Sequence, residues 1–189
     1  MKIALFGGTF DPVHVGHLQI AKTIIGELCM DEVWFIPAAN PPHKEKCMFS
    51  FNQRIMFLKE ATKNNSKFSV WEKDFRESDK SYTIYLINEL KEIYSQYHFS
   101  FVIGADNVKK LKFWKDYKKL LELIEFIAID RDSYDREEYR SLDYYDKLKF
   151  IDMPLINISS SEIRNKILNN DDISQYVPYK IDESIISKI

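Results

Sequence analysis

The sequence predicts an α/β protein with a parallel sheet of five to six strands and helices on both faces. Short apolar segments without polar alternation, such as residues 3–6 and 99–103, are typical of strands buried on both sides. Segments with helical spacing of apolar residues separate them, and such alternation favours parallel strands joined by right-handed crossovers. The predicted architecture is therefore doubly wound and Rossmann-like.

The individual elements follow from these two patterns. The predicted strands are residues 3–6, 33–36, 68–71, 99–103 and 126–129, with a short sixth at 149–152. The predicted helices are residues 18–28, 53–62, 81–94, 118–123, 160–168 and 181–189. Residues 38–49 form a loop because prolines at 37, 41 and 42 stiffen it, and residues 131–149 are assigned to a surface insertion.

Length and composition restrict the class of protein. A chain of 189 residues fits one domain spanning residues 1–189. The formal net charge of −2 argues against non-specific nucleic-acid binding, which requires a basic surface. Cys29 and Cys47 form neither a metal-binding spacing nor a disulfide framework. Because no apolar run reaches membrane-spanning length and the chain opens on a strand pattern, we expect a cytoplasmic protein without membrane contact.

The predicted topology indicates where in the sheet a ligand would bind. Ligands of open parallel sheets bind at the carboxyl ends of the strands, where the strand order reverses. The turns after the first and fourth strands and the proline-containing loop after the second lie at that edge. Gly7 and Gly8 close the first strand and would let a polyphosphate approach main-chain N–H groups. Walker and three-glycine dinucleotide patterns are absent, and two glycines alone fit a tight turn equally well.

His14 and His17 strengthen the case for a phosphate site. They are spaced i, i+3 at a predicted helix start, so both imidazoles project from one side, with Gly16 between them. There they could donate hydrogen bonds to phosphate oxygens alongside the helix dipole. Two alternatives are a structural histidine pair and a zinc site formed with His43. The zinc site lacks a carboxylate base in a recognisable metalloenzyme spacing.

Two motifs identify a family resemblance. Residues 7–17, Gly-Gly-Thr-Phe-Asp-Pro-Val-His-Val-Gly-His, resemble the first signature of the nucleotidylyltransferases, and residues 158–164, Ile-Ser-Ser-Ser-Glu-Ile-Arg, resemble the second. Three further stretches are similar to the bacterial nicotinate-nucleotide adenylyltransferases: Pro-Pro-His-Lys at 41–44, Ser-Tyr-Thr at 81–83, and Ile-Gly-Ala-Asp at 103–106 followed by Trp114. The similarity extends over essentially the whole chain.

The resemblance implies a reaction and its partners. ATP and nicotinate mononucleotide would give deamido-NAD and pyrophosphate, by direct attack of the mononucleotide phosphate on the α-phosphorus of ATP. Positioning and charge neutralisation would then supply the catalysis. Mg²⁺ would be carried by the triphosphate, without a protein metal site. Sister enzymes acting on nicotinamide mononucleotide or phosphopantetheine remain alternatives.

The resemblance also implies the site residues. His14, His17 and Arg164 would be catalytic. The ATP site would comprise these three together with Gly7, Gly8, Thr9, Phe10, Gly104, Asp106, Ser159 and Ser161. The mononucleotide would contact Lys44, Thr83 and Trp114, and the helical part at 159–189 would complete the ATP site. Read without the resemblance, Arg164 and Lys44 are ordinary surface cations, Asp106 and Thr83 are helix caps, and Trp114 is a core residue.

Two departures from the family pattern fall on the mononucleotide side. Tyr85 and Leu86 stand where the family usually has Asp and Thr, and Lys115 stands where an aromatic residue often follows the tryptophan. They leave the preference for the acid or the amide mononucleotide open. The sequence also leaves open a homo-oligomer and the closure of the 38–49 loop, which carries His43 and Lys44, over a substrate.

Overall fold

A six-stranded, wholly parallel sheet organises the computed structural model. The described residues are 1–39, 47–73, 76–77, 80–131, 137–153, 158–182 and 185, with the backbone alone at 76, 77, 80, 81, 106, 130, 131 and 138. The strands are β1 (Lys2–Gly8), β2 (Glu32–Pro37), β3 (Phe68–Val70), β4 (Arg76–Glu77), β5 (Lys80–Ser81), β6 (His98–Gly104), β7 (Glu125–Arg131) and β8 (Leu148–Met153). The order of strands in the sheet is β3-β2-β1-β6-β7-β8, and the short β4 and β5 pair antiparallel outside it.

Seven α-helices appear in the described part of the chain: α1 (Val15–Leu28), α2 (Phe51–Thr62), α3 (Thr83–Ile93), α4 (Ala105–Val108), α5 (Tyr117–Leu123), α6 (Glu137–Arg140) and α7 (Ser160–Leu168). Single 3-10 turns lie at Leu111–Phe113 and Tyr145–Lys147. None of these helices is long and apolar enough to cross a membrane. The α/β fold class and the parallel sheet with helices are confirmed.

The central strand β1 separates two apolar cores. Ala4 and Phe6 point to the face covered by α1, α2 and α7, whereas Ile3 and Leu5 point to the face covered by α3, α5 and the segment around α6. This follows from the period of two along a strand. Because β1 lies between β2 and β6, the strand order reverses beside it, and its carboxyl end is the expected ligand position.

The prediction for residues 131–149 is wrong in one respect. The described part of this segment contains α6, a 3-10 turn and the start of β8, and two of its tyrosines lie in the core. Tyr139 donates a hydrogen bond to the Ala105 carbonyl oxygen and Tyr144 to that of Val108, so both phenols are buried without an unpaired hydroxyl. The predicted helix at 181–189 lies largely outside the described residues.

Candidate active site

Two histidines at the carboxyl edge of β1 cap helix α1 with their own side chains. His14 is the N-cap, and its Nδ1 accepts the Gly16 N–H at 3.1 Å. The His14 N–H in turn donates to Nδ1 of His17 at 3.2 Å, and the ring centroids lie 3.8 Å apart. Because both Nδ1 atoms accept, each neutral ring carries its proton on Nε2. The predicted pair therefore meets at the start of α1.

The two glycines before this loop are explained by ring packing. A Cβ atom at Gly7 would lie 2.6 Å from Cζ of Phe101, and one at Gly8 would lie 2.9 Å from Cζ of Phe10. Both distances are shorter than a normal carbon contact, so a larger residue would displace a buried ring. The close approach of phosphate to Gly7 and Gly8 stays a prediction.

The turn after β1 is held by groups that the sequence did not single out. Phe10 has a positive φ of 51°, and its buried ring meets that of His17 edge-on at 5.0 Å between centroids. Asp11 is also buried, and its carboxylate accepts the backbone N–H groups of Met48 and Phe49 at 3.0 and 2.9 Å. The loop at 9–13 is therefore tied to the chain just before α2.

Arg54 of α2 is the second group that the sequence did not reveal. Its guanidinium donates to the carbonyl oxygens of Thr9, Ala38, Ala39 and Phe49. The side chain is 1% exposed. An arginine at this place in a helical pattern is indistinguishable from a surface cation until the tertiary contacts are known.

The second motif packs directly on the first. Ser159 caps α7 through a reciprocal exchange with Glu162, and the Ser160 hydroxyl donates to the Pro12 carbonyl oxygen at 3.0 Å. Arg164 donates from Nη1 to the Asp11 carbonyl oxygen at 2.7 Å and from Nη2 to Ser161 Oγ at 2.9 Å. Its Nη1 also lies 3.7 Å from the Asp11 carboxylate. The predicted residues of the two motifs are thus neighbours, joined by Ser160, which had not been predicted as a site residue.

The segment after α7 supports the histidine loop from the other side. The Tyr179 hydroxyl donates to the Val13 carbonyl oxygen at 2.7 Å, and the Val15 N–H donates to the Tyr176 carbonyl oxygen at 2.9 Å. The Tyr179 ring stacks on Phe57. Burial raises the pKa of Tyr179, so its hydroxyl stays protonated and remains a donor.

Two of the three residues predicted for the mononucleotide, Thr83 and Trp114, lie on the opposite face of the sheet. Trp114 is half-buried and meets Phe101, the ring beside Gly7, edge-on at 5.9 Å between centroids. Thr83 begins α3, and Gly104 ends β6. Lys44, His43 and the Asp106 side chain lie outside the described part of the structure.

The two departures from the family pattern meet in space. Lys115 donates a hydrogen bond to the Tyr85 hydroxyl. Its ammonium lies 5.0 Å from the ring centroid of Tyr82 and 4.6 Å from that of Tyr85, within the range of cation–π attraction. Leu86, in contrast, is fully buried in the core beneath α3. The ammonium of Lys115, the residue after Trp114 in the sequence, is therefore held against two aromatic rings.

Comparison with known proteins agrees with this geometry. The Cytidylyltransferase-like family matches residues 5–166. A protein from Exiguobacterium sibiricum named "Probable nicotinate-nucleotide adenylyltransferase" is 40% identical over 98% of this chain and 96% of its own length. One of the same name from Clostridium novyi is 38% identical over 95% and 93%.

A solved structure is similar over nearly the full length. The Plasmodium falciparum nicotinic acid mononucleotide adenylyltransferase complexed with NaAD has a TM-score of 0.75 and 25% identity, covering 98% of this chain and 93% of the other. The match extends across both motifs and the sheet between them. The chain therefore belongs to the Cytidylyltransferase-like family and, within it, to the nicotinate-nucleotide adenylyltransferases, which are nucleotidyltransferases.

Proposed function

We propose that this protein transfers AMP from ATP to nicotinate mononucleotide, giving deamido-NAD and pyrophosphate in NAD biosynthesis. The observation that carries the proposal is the meeting of the two motifs, where Ser160 and Arg164 bind the Pro12 and Asp11 carbonyl oxygens next to the histidine pair. The names of the close relatives support the same reaction. Because the reaction consumes ATP, we place the protein in the cytoplasm.

The chemistry needs no nucleophile from the protein. An oxygen of the acceptor 5′-phosphate forms a bond to the α-phosphorus, and the bond from that phosphorus to the bridging oxygen breaks. Pyrophosphate leaves with the electron pair. We assign the Nε2–H groups of His14 and His17 and the Arg164 guanidinium to the phosphate charge that builds up in this step. Gly7 to Phe10, Gly104, Asp106, Ser159 and Ser161 would line the ATP site.

Mg²⁺ enters this scheme as the MgATP substrate. The described residues contain no group of three His, Cys, Asp or Glu side chains arranged to hold an ion. The nearby Asp11 carboxylate already accepts two backbone N–H groups. In our proposal the ion arrives with the triphosphate, where it would supply further charge neutralisation.

The position of Lys115 favours the acid over the amide as acceptor. Its ammonium is held by Tyr82 and Tyr85, and in the sequence the residue directly follows Trp114, on which the pyridine ring would stack. A carboxylate on that ring would gain an ion pair that a neutral amide cannot form. Lys44 and Thr83 would hold the rest of the mononucleotide.

Pyrophosphate release tests the reaction and the acceptor. We expect turnover of MgATP to be fastest with nicotinate mononucleotide, slower with nicotinamide mononucleotide, and absent with phosphopantetheine or without an acceptor. Turnover with phosphopantetheine alone would contradict the proposal.

Substitution of Lys115 tests the source of the acid preference. Lys115→Met should lower kcat/KM for nicotinate mononucleotide about fivefold, as expected for the loss of an exposed ion pair of ~1 kcal/mol. The value for the amide should stay unchanged. Lys118→Met removes an exposed lysine from the next helix turn and should alter neither value. Equal losses for the acid and the amide would show that Lys115 does not read the carboxylate.

A further inference from the structure

We infer that Arg54 is a positioning residue of the phosphate site, which holds the loops after β1 and β2 by their carbonyl oxygens and so aims amide N–H groups at the substrate phosphates. The inference rests on the proposed use of these loops for ATP. Arg54 lies outside both motifs and is identified by its contacts alone.

The guanidinium joins three separate segments of the chain. Nη1 donates to the carbonyl oxygens of Thr9 and Ala38 at 2.6 and 2.8 Å, and Nη2 donates to that of Ala39 at 3.1 Å. Nε donates to the Phe49 carbonyl oxygen at 3.2 Å. A planar fork of five N–H donors can make such a set, whereas the single ammonium of a lysine cannot. The geometry of both loops therefore depends on the shape of this side chain as well as on its charge.

Peptide geometry connects these contacts to the ligand. In a trans peptide the C=O of one residue points opposite to the N–H of the next. By binding the Thr9 and Ala38 oxygens, Arg54 turns the N–H groups of Phe10 and Ala39 away from itself. It also keeps the carbonyl oxygens on its own side, away from the phosphate that they would repel. Oriented amide N–H groups of this kind make anion-binding concavities.

The charge of Arg54 acts in the same direction. Its partners are neutral carbonyls, and in the described part of the chain no carboxylate forms an ion pair with it. Burial lowers its pKa, and the neighbouring Asp11 opposes this shift, but an arginine keeps its proton in proteins. A buried cation beneath the turn at Thr9 raises the local potential where a polyphosphate would lie.

The substitution Arg54→Lys separates positioning from simple support of the fold. It keeps the charge and removes the fork. We expect a folded protein whose dissociation constant for MgATP, measured by calorimetry, rises about 10- to 100-fold, because displaced donors no longer meet the phosphates. Lys59→Met alters an exposed lysine of the same helix, paired with Glu72, and should leave the constant unchanged. An Arg54→Lys protein that is less stable but binds MgATP normally would overturn the inference.

A measurement on the unaltered protein covers the case in which Arg54→Lys does not fold. Addition of MgATP should shift the amide proton resonances of Phe10 and Ala39 downfield, whereas adenosine should not. Unmoved amides would overturn the inference. Both binding measurements need no acceptor, so they stand apart from the proposed function: a protein that binds MgATP in this way but releases no pyrophosphate with nicotinate mononucleotide would refute the function alone.

Discussion

Each histidine of the first motif uses one ring nitrogen, Nδ1, to hold the start of α1, and the proposed function assigns the other nitrogen to phosphate. Nδ1 of His14 and Nδ1 of His17 both accept backbone N–H groups at the start of α1. A proton on either Nδ1 would break its bond, so the helix start favours the neutral tautomer with hydrogen on Nε2. The cap thus fixes the tautomer that the proposed role of the two histidines requires.

The separate roles of Nδ1 and Nε2 can be tested by substituting an asparagine. His14→Asn retains a good N-cap, because an asparagine side-chain oxygen can accept the same backbone hydrogen, but it removes the Nε2–H donor. We expect kcat to fall by a factor of about 100 to 1,000, as for the loss of one donor to a transition-state oxygen. The midpoint of thermal unfolding should change little. His98→Asn, at an exposed histidine, is the control, and a variant at position 14 with normal kcat would refute the assigned role.

At this scale the sequence identified the motif residues better than their physical roles. The glycine pair predicted phosphate approach, which stays a prediction, and the structure adds that a Cβ atom at Gly7 or Gly8 would meet the ring of Phe101 or Phe10. No local pattern could reveal a contact between residues 7 and 101. Arg54 was missed for the same reason, since its burial depends on carbonyl oxygens from other segments.

Among the elements, α7 and the segment that follows it complete the histidine loop. Ser160 and Arg164 bind the carbonyl oxygens of Pro12 and Asp11, and Tyr179 binds that of Val13. Three successive carbonyls of the loop are thus held by the C-terminal part of the chain. These contacts fix the carbonyl oxygens of the loop that carries His14.

The contact from Tyr179 gives a prediction at this scale. Tyr179→Phe keeps the stack on Phe57 but leaves the Val13 oxygen without its donor, at a cost of about 1 kcal/mol in the free energy of unfolding. For a domain of this size the midpoint of thermal unfolding should fall by about 2–4 °C. Scanning calorimetry checks the shift. Tyr176→Phe is the matched control, because Tyr176 supports the loop through its backbone, and an equal shift there would argue against the hydroxyl contact.

The elements themselves were predicted well where burial and periodicity agree. All six strands of the main sheet were expected, since short apolar runs such as residues 3–6 and 126–129 are typical of buried strands. Helix starts were placed less well: α1 begins at Val15 because His14 caps it, an unusual residue for that role. Residues 131–149 were assigned to the surface because the segment is rich in charged residues, although Tyr139 and Tyr144 are core residues.

On the scale of the whole molecule, the fold brings distant parts of the chain to one edge of the sheet. The first motif lies at the end of the central strand, and the second reaches it from the far end of the sequence. The order of two specific motifs was enough to predict this meeting and the family. The pairing of Lys115 with Tyr85 was not predictable, because it depends on how α3 packs beside the turn after Trp114.

This arrangement predicts how ligand binding changes global stability. A polyphosphate that contacts both the histidine loop and the start of α7 binds only where the two motifs are assembled, so it stabilises the folded state alone. At 100 times its dissociation constant, MgATP should add about 2.7 kcal/mol to the free energy of unfolding. The midpoint of thermal unfolding should then rise by about 5–10 °C.

Scanning calorimetry at several MgATP concentrations measures the effect, with adenosine as the control that lacks phosphates. Arg164→Met should reduce the rise, because it removes a cation shared by the two motifs. An equal rise with adenosine would mean that the phosphates do not bridge the motifs.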